Sequence, residues 1–486
     1  MTSTVAPPIT YRMKYAYGIG STAESIVFTT TSMFLMLFYN QVRGLDPAMI
    51  GLALAIGLAA NAVFDPLIGS WSDRTRSRWG RRHPFMFASM LPAALLFYAL
   101  FNPPGSLSNT GQLIWLTAFN VLLLQAMTLF SAPHLALGGE MSEDYLERTS
   151  IMNVNTFFLW IGDTTGWLLC FLVFFRASAE FPSGALDPSR WPVFSITIAC
   201  IVLACLFFSS QVTKRRIPYL VQLAANTPSF SARVWAQDIW RVLRNRNYVV
   251  LLIGFFFLSL MTGVRGGLWI YNATYFWQLS NDKLAFFAIG SLIGYLFAAF
   301  CVKRLHARFD KRWTGMLALL VYCVGPTIPM ALGYFGLLSA ETPGLLIILI
   351  AFSLLQHAPY SIMTTTVYSA LADIADECEL KYGLRQEGTL YATRTFFARV
   401  DQALGTALAG WVLSLIAFPA KATPGQVPEP VLMGLAMAFM LSVIPGVIAS
   451  VFYGMLNVTR SSHDATRAAI DARKSNAGHG TVPVHK

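Results

Sequence analysis

Apolar runs long enough to cross a bilayer recur about twelve times along this chain of 486 residues. A spanning helix needs about 20 mostly apolar residues. On that measure the spans fall near 15–40, 47–72, 83–101, 111–138, 151–175, 192–211, 247–278, 284–302, 313–337, 343–371, 388–418 and 431–456. Only 12% of the residues are charged and 55% are hydrophobic, whereas a soluble protein carries about 25% charged residues. Lipid offers the backbone no hydrogen-bond partners, so only helices and closed barrels can cross it. Runs of this length select helices. The expected fold is an all-α membrane protein of about twelve transmembrane helices.

The charges give the expected orientation. The chain has 35 Lys and Arg against 24 Asp and Glu. With twelve spans both ends lie on one side. The termini and even-numbered loops then carry 27 of the 35 basic residues, and the opposite loops carry only Arg43, Arg176, Arg190, Lys283 and Lys421. Basic residues are retained in the cytoplasm, so both termini are expected there, in a bacterial inner membrane. The net charge of +11 follows from those loops and implies no nucleic-acid partner. The six cysteines show no paired spacing, so neither a disulfide framework nor a zinc site is expected. Residues 1–10 are too short and polar for a cleaved signal peptide.

The chain repeats itself. Ala132-Pro133-His134 in the fourth span is echoed by Ala358-Pro359-Tyr360 in the tenth. Acidic segments follow both, then an arginine (Arg148, Arg385) and a Phe-Phe pair. The basic loops 73–82 and 303–312 also correspond. Repeats of this kind mark transporter folds built from duplicated halves. The expected organisation is a six-helix half over 1–211, a loop with an amphipathic helix over 212–246, a second half over 247–456, and a disordered cytoplasmic tail over 457–486. The two halves form pseudo-symmetric bundles around a central cavity.

Asp65 is the only ionisable residue between Ile50 and Trp71. A carboxylate at membrane depth is costly and is read first as functional. Asn61, Asp65, Gly69 and Asp73 lie four apart and share one helix face. Asp65 suits either a sodium ion held with other oxygens or a proton, because burial without a cation raises a carboxyl pKa. Further polar residues cluster at helical spacing. The first span offers Ser21, Ser25, Thr29 and Ser32, with Glu24 beside them. The fourth offers Gln125, Thr128, Ser131 and His134, and the fifth offers Thr156, Trp160 and Asp163. Arg265 in the seventh span and Arg394, Arg399 and Asp401 in the eleventh complete the set. From these, Glu24, Ser25, Ser131, His134, Thr156, Trp160, Asp163, Arg265 and Arg399 are the candidate solute-cavity residues. Arg394 and Asp401 read as one structural ion-pair network.

Three stretches carry a family resemblance. They are Tyr17-Gly18-Ile19-Gly20, the run from Asp65-Pro66-Leu67-Ile68-Gly69 through Gly80-Arg81-Arg82 to Pro84, and Asp373-Ile374-Ala375-Asp376-Glu377 running on to Gly388. With them the chain resembles the glycoside–pentoside–hexuronide:cation symporters of the major facilitator superfamily, a group that includes melibiose permease. The resemblance implies that Asp65 is a cation-site acid and that Thr128 is the hydroxyl beside it. Sodium-coupled relatives have a second acid where this chain has Asn61, which shifts the expected ion towards H⁺. The residues that read galactosides in such carriers fall here at Ser131, Leu135 and Thr156, so a galactoside is not assigned. Arg399 keeps the charge of a lysine in the family. The superfamily's loop signature fits Gly69, Asp73-Arg74 and Gly80-Arg81-Arg82, which makes Asp73, Arg74, Arg81, Asp376 and Arg385 the candidate cytoplasmic gate.

The leading expectation is a monomeric carrier that couples H⁺ or Na⁺ to uptake of a small polar solute, a glycoside, sugar or sugar acid. A carrier of amphiphilic or drug-like solutes is the alternative, and a transporter-like sensor the remote one. No cofactor is expected. There is no phosphate-binding Gly-x-x-x-x-Gly-Lys-Ser/Thr loop, and the scattered histidines and cysteines do not assemble an enzyme site. Membrane lipid is the other expected partner.

Overall fold

The computed structural model describes residues 9–142, 144–220, 242–382 and 387–457, with isolated positions among 237–240 and 459–472. Its first half contains α1 (Tyr11–Leu37), α2 (Pro47–Arg74), α3 (His83–Leu100), α4 (Asn109–Glu140), α5 (Tyr145–Leu168) and α6 (Trp191–Thr213). Its second half contains α7 (Arg246–Tyr271), α8 (Phe287–Arg308), α9 (Lys311–Val324), α10 (Leu345–Tyr382), α11 (Glu387–Leu415) and α12 (Glu429–Leu441). A break at Gly325-Pro326 divides the ninth span, which resumes at Thr327–Tyr334, and the twelfth resumes at Val443–Gly454. Eleven described helices are long and apolar enough to cross a membrane. The other long one, α11, carries Arg394, Arg399 and Asp401 within its length. There is no strand among the described residues.

Local chemistry sets the helix ends. Free N–H groups at a helix start need an acceptor. Thr10, Asp46, Ser108 and Asp144 each supply a side-chain oxygen to a backbone N–H of the first turn. Three helices end in a π turn, at Phe38–Val42 after α1, Leu169–Phe174 after α5 and Asn272–Phe276 after α7. The helices α1 and α7 open the two halves, so the shared ending extends the internal repeat. The tenth helix outruns its apolar span, expected at 343–371, and continues to Tyr382. Its added turns hold Asp373, Asp376 and Glu377, and Asp373 is paired with Lys311 at 2.7 Å.

The described residues form two compact units that cut across the sequence halves. The first draws on 1–229, 262–288 and 402–438; the second on 230–261, 289–401 and 439–486. In the first unit the end of α1 is bonded to the ends of α7 and α11. Tyr271 Oη donates to Asn40 Oδ1 at 3.0 Å, and Tyr275 Oη donates to Gln41 Oε1 at 2.9 Å. Gln41 Nε2 donates to Pro419 O at 3.1 Å. The helices α2 and α11 cross backbone to backbone, and a Cβ on Gly410 would lie 2.2 Å from Pro47 O. These ties explain why segments of the second half belong to this unit. It also encloses an aromatic core in which the Phe101 and Trp191 rings stack at 5.3 Å and Phe34, Phe97, Phe175 and Phe194 pack around them. The second unit has its own core, built on Tyr248, Met261, Cys323, Leu371, Ala375 and Ala449.

Most of the amphipathic helix expected in the central loop, including Arg233, Trp235 and Arg241, lies outside the described residues, as does most of the tail. The start of that loop is a 3-10 turn, Lys214–Tyr219. Its Arg216 is buried and donates twice to Met141 O.

The helices α1 and α5, which both carry candidate solute residues, pack closely against each other. A Cβ on Gly162 would sit 2.6 Å from Thr22 O. That neighbour is backbone and cannot swing away. Gly162→Leu is therefore expected to lower the thermal midpoint of the purified protein, at about 1–3 kcal/mol for overpacking. Gly139, which has nothing within 4 Å, is the control, and Gly139→Ala is expected to leave the midpoint unchanged.

Candidate cation and solute site

Two helices of the first unit build the polar centre around Asp65. Gly57 lets α2 approach α4, since a Cβ there would lie 2.1 Å from Asn120 Nδ2. Two turns further along α2 stands Asp65, with Asn61 one turn before it. Asn61 and Thr128 are buried, and Asp65 is half-buried. Thr128 Oγ1 is 2.6 Å from Asp65 Oδ1 and 2.9 Å from Asn61 Oδ1. Asn61 Nδ2 donates to Asp65 Oδ2 at 3.3 Å. Gln125 Nε2 lies 3.5 Å from Asn61 Oδ1, and Gln125 Oε1 is buried without a hydrogen-bond partner among the described residues. The structure thus brings together all three residues expected at the cation site and adds Gln125.

The hydrogen count in this cluster is informative. Thr128 has one hydroxyl hydrogen and two acceptor oxygens in range. It can donate to only one of them. The other contact, at hydrogen-bond separation, needs a hydrogen that Asn61 Oδ1 does not have. Two arrangements satisfy it: a protonated Asp65 donates to Thr128 and Thr128 to Asn61, or Asn61 with its amide reversed donates to Thr128 and Thr128 to Asp65. Alternatively, oxygens from Asp65, Asn61, Thr128 and Gln125 form the all-oxygen set that a hard cation takes.

The expected solute residues divide. Glu24 and Ser25 are half-buried on α1, and Thr156, Trp160 and Asp163 are exposed on the facing helix α5. Thr29 Oγ1 donates to Asp163 Oδ1, and Thr22 Oγ1 donates to Phe158 O, so hydroxyls of α1 hold α5 in register. The Thr156 hydroxyl donates to Met152 O of its own helix. Ser131 is half-buried on α4. His134 is placed differently from the expectation. It is 1% exposed, its ring is stacked on Tyr17 at 4.1 Å and on Phe130 at 4.8 Å, and its Nε2 meets Tyr17 O at 2.9 Å. That is the setting of a packed helix spacer, with no open face for a solute. Arg265 is buried on α7 in the first unit, whereas Arg399 is half-buried on α11 in the second. The expected Arg394–Asp401 pair is absent. Arg394 lies over the Phe255 ring at 4.4 Å and the Tyr368 ring at 5.2 Å, and Asp401 Oδ2 is buried without a partner among the described residues.

The expected gate residues Asp73 and Arg81 join one cluster, but its hub is Arg82. Arg82, 4% exposed, meets Asp73 at 2.5 Å, Glu140 at 2.6 Å and Ser72 Oγ at 2.6 Å. Arg81 meets Glu140 at 2.8 Å. The side chain of Arg74 and the whole of Arg385 lie outside the described residues. Asp376 is buried on α10. The doubled arginine after Gly80 and the acid ending α4 were the available signals for Arg82 and Glu140. In the second unit Lys311, at the start of α9, pairs with Asp373 on α10 as Arg82, at the start of α3, pairs with Glu140 on α4.

Residues 16–457 match the family described as MFS/sugar transport protein. The chain belongs to that family. It is therefore a multi-pass membrane transporter and not an enzyme. Its relatives include YagG of Escherichia coli (strain K12), named as a candidate glycoside/cation symporter, at 26% identity over 97% of each chain. The lactose permease of Lactobacillus delbrueckii subsp. bulgaricus is 23% identical over 93% of this chain and 71% of that protein. Among solved structures, a bacterial homolog of the human lysosomal transporter Spinster aligns with a TM-score of 0.65 at 12% identity, over 94% of this chain and 98% of that one. That likeness concerns the fold alone, and the fold is that of the major facilitator transporters.

Removing Arg82 takes away the hub of the cluster, but Glu140 keeps Arg81 and Asp73 is half exposed, so the loss is about 1–3 kcal/mol. Arg82→Gln is expected to lower the thermal midpoint clearly, and Arg82→Gln with Glu140→Gln to recover part of the loss. A fluorescence melt of the purified variants checks both.

Proposed function

We propose that this transporter is a symporter in which a proton carried by Asp65 drives uptake of a small glycoside or related sugar. The observation that carries the ion assignment is the Asp65–Thr128–Asn61 chain: two short oxygen contacts around one threonine hydroxyl, completed when the carboxyl is protonated. Asn61 in place of a second carboxylate supports the same reading, because one acid offers a sodium ion less negative charge than two. The solute class rests on the company the family keeps, with relatives named as a glycoside/cation symporter and a lactose permease. It also rests on the polar, accessible face of α5, where Trp160 offers an aromatic surface between Thr156 and Asp163.

In this reading Asp65 loads a proton, the solute binds, and the halves rock to expose the site on the other side of the membrane. The Asn40–Gln41–Tyr271–Tyr275 bonds in the first unit are contacts that such a cycle makes and breaks. The excess of basic residues in the terminal and even-numbered loops supports a cytoplasmic location for both termini.

Uptake of a panel of radiolabelled glycosides into proteoliposomes tests the proposal. An inward pH gradient is expected to drive accumulation, and Asp65→Asn to reduce it about 100-fold while solute exchange without a gradient persists. Thr128→Ala is expected to cost about 10-fold, equivalent to about 1.4 kcal/mol. Accumulation driven by a sodium gradient at equal pH on both sides would reject the proton. Full accumulation by Asp65→Asn would reject the site.

A further inference from the structure

At one end of the second unit a cavity of about 450 Å³ opens between the starts of α7 and α9, the end of α10 and the residues after the twelfth span. None of the residues expected to bind solute or cation lines it. Its charge is unbalanced. Arg246, Arg312 and Lys381 line it, with Glu377 as the single acid. Glu377 is already engaged. Asn245 Nδ2 donates to its Oε2 at 3.1 Å, and Asn247 Nδ2 donates to both carboxylate oxygens, at 2.9 and 3.1 Å. Those amides hold the carboxylate against the wall of the pocket and use lone pairs that an arginine fork would otherwise take.

The two arginines have no such engagement. Among the described residues neither Arg246 nor Arg312 makes an ion pair or a hydrogen bond. The Arg312 guanidinium carbon lies 4.9 Å from the centroid of the neighbouring Trp313 ring. Its Nε is buried and has no acceptor. A buried charged donor without an acceptor is costly, and an arginine fork is shaped for two oxygens of a phosphate or carboxylate.

We propose that this pocket binds a phosphate-bearing anion, with Arg246 and Arg312 as the contacts to its oxygens and Lys381 adding charge. The volume exceeds a single phosphate and admits a phosphodiester with its substituents. Two sources share that chemistry: the headgroup of an anionic phospholipid and a free phosphate compound. The lipid source is consistent with a pocket at the ends of membrane-spanning helices, where basic pockets between helices take anionic headgroups.

The test uses the full-length protein in a neutral detergent. One arm titrates phosphatidylglycerol, with phosphatidylcholine as the uncharged control. The other titrates inorganic phosphate and glycerol 3-phosphate at constant ionic strength. The readout is the thermal midpoint, which a ligand of the native state raises by mass action. The expected result is a saturable rise with phosphatidylglycerol or with a free phosphate, and none with phosphatidylcholine. Arg246→Gln with Arg312→Gln is expected to weaken that binding at least 10-fold. The unliganded midpoint of the double variant shows that it is folded. Arg312→Lys, which keeps charge and loses the fork, is expected to fall between. Saturation by phosphatidylglycerol alone assigns a lipid, and saturation by a free phosphate assigns a soluble ligand. No saturable rise with any probe, or equal binding by the folded double variant, would overturn the proposal.

Discussion

A polar side chain inside a bilayer has to find its partner on another part of the same protein, because the solvent offers none. In this transporter that requirement decides which helices touch. Tyr17 Oη, on α1, donates to His134 O on α4, and His134 Nε2 returns to Tyr17 O. Ser21 and Thr29 bind Asn155 and Asp163 on α5, and Asp65 and Asn61 on α2 bind Thr128 on α4. Each of these bonds needs backbones close enough for short side chains to reach. Glycine supplies the approach at Gly57 and Gly162, where a Cβ would collide. The apolar surface holds the helices in the membrane; small residues and hydrogen bonds fix their neighbours. This agrees with membrane interfaces in general, which gain little from hydrophobic burial and much from close packing.

The role proposed for Asp65 asks more of such a bond. The Arg82 cluster satisfies its charges among fixed partners, since Arg82 faces two carboxylates and a hydroxyl. The contacts of Asp65 include the amide of Asn61 and the hydroxyl of Thr128. Donors of this kind are compatible with both the charged and the protonated carboxyl, as the proposed proton coupling requires. A group that must load and release a cation in each cycle needs that tolerance. In the proposed cycle the contrast separates two kinds of acid: Asp73 and Glu140, which brace helix ends, and Asp65, which changes state.

Much of this was legible in the sequence because it depended on one residue or one period. Twelve spans follow from apolar length, and Asp65 stands out as a lone charge. Thr128 could be paired with it only through family resemblance, since nothing in spacing tells which residue of α4 faces α2. His134 misled for the same reason: helical periodicity put it on a polar stripe, but its ring turned into the Tyr17–Phe130 stack. Arg394 and Asp401, seven residues apart on one helix, suggested a pair, but Arg394 found the rings of Phe255 and Tyr368 instead. Arg82 was hidden beside four neighbouring arginines, because its role depends on Glu140, 58 residues away. The two compact units were not foreseeable at all. They arise from contacts such as Tyr271–Asn40, 231 residues apart.

The duplication shows where the two halves have parted. Both keep the basic loop, the proline in the fourth helix (Pro133, Pro359), the terminal ion pair (Arg82–Glu140, Lys311–Asp373) and the π turn that ends the first helix. These features shape and brace helix ends, a task common to both halves. Aligning loop 73–82 with 303–312 places Tyr295 of α8 opposite Asp65 of α2. There the second half has no carboxylate: the Tyr295 ring meets the His357 ring of α10 edge-on at 5.8 Å. One half thus has a carboxyl where the other has a packed aromatic pair. An acid at this position in one half and none at its repeat is consistent with the proposed coupling of one cation, because a second acid at the repeated position would carry its own.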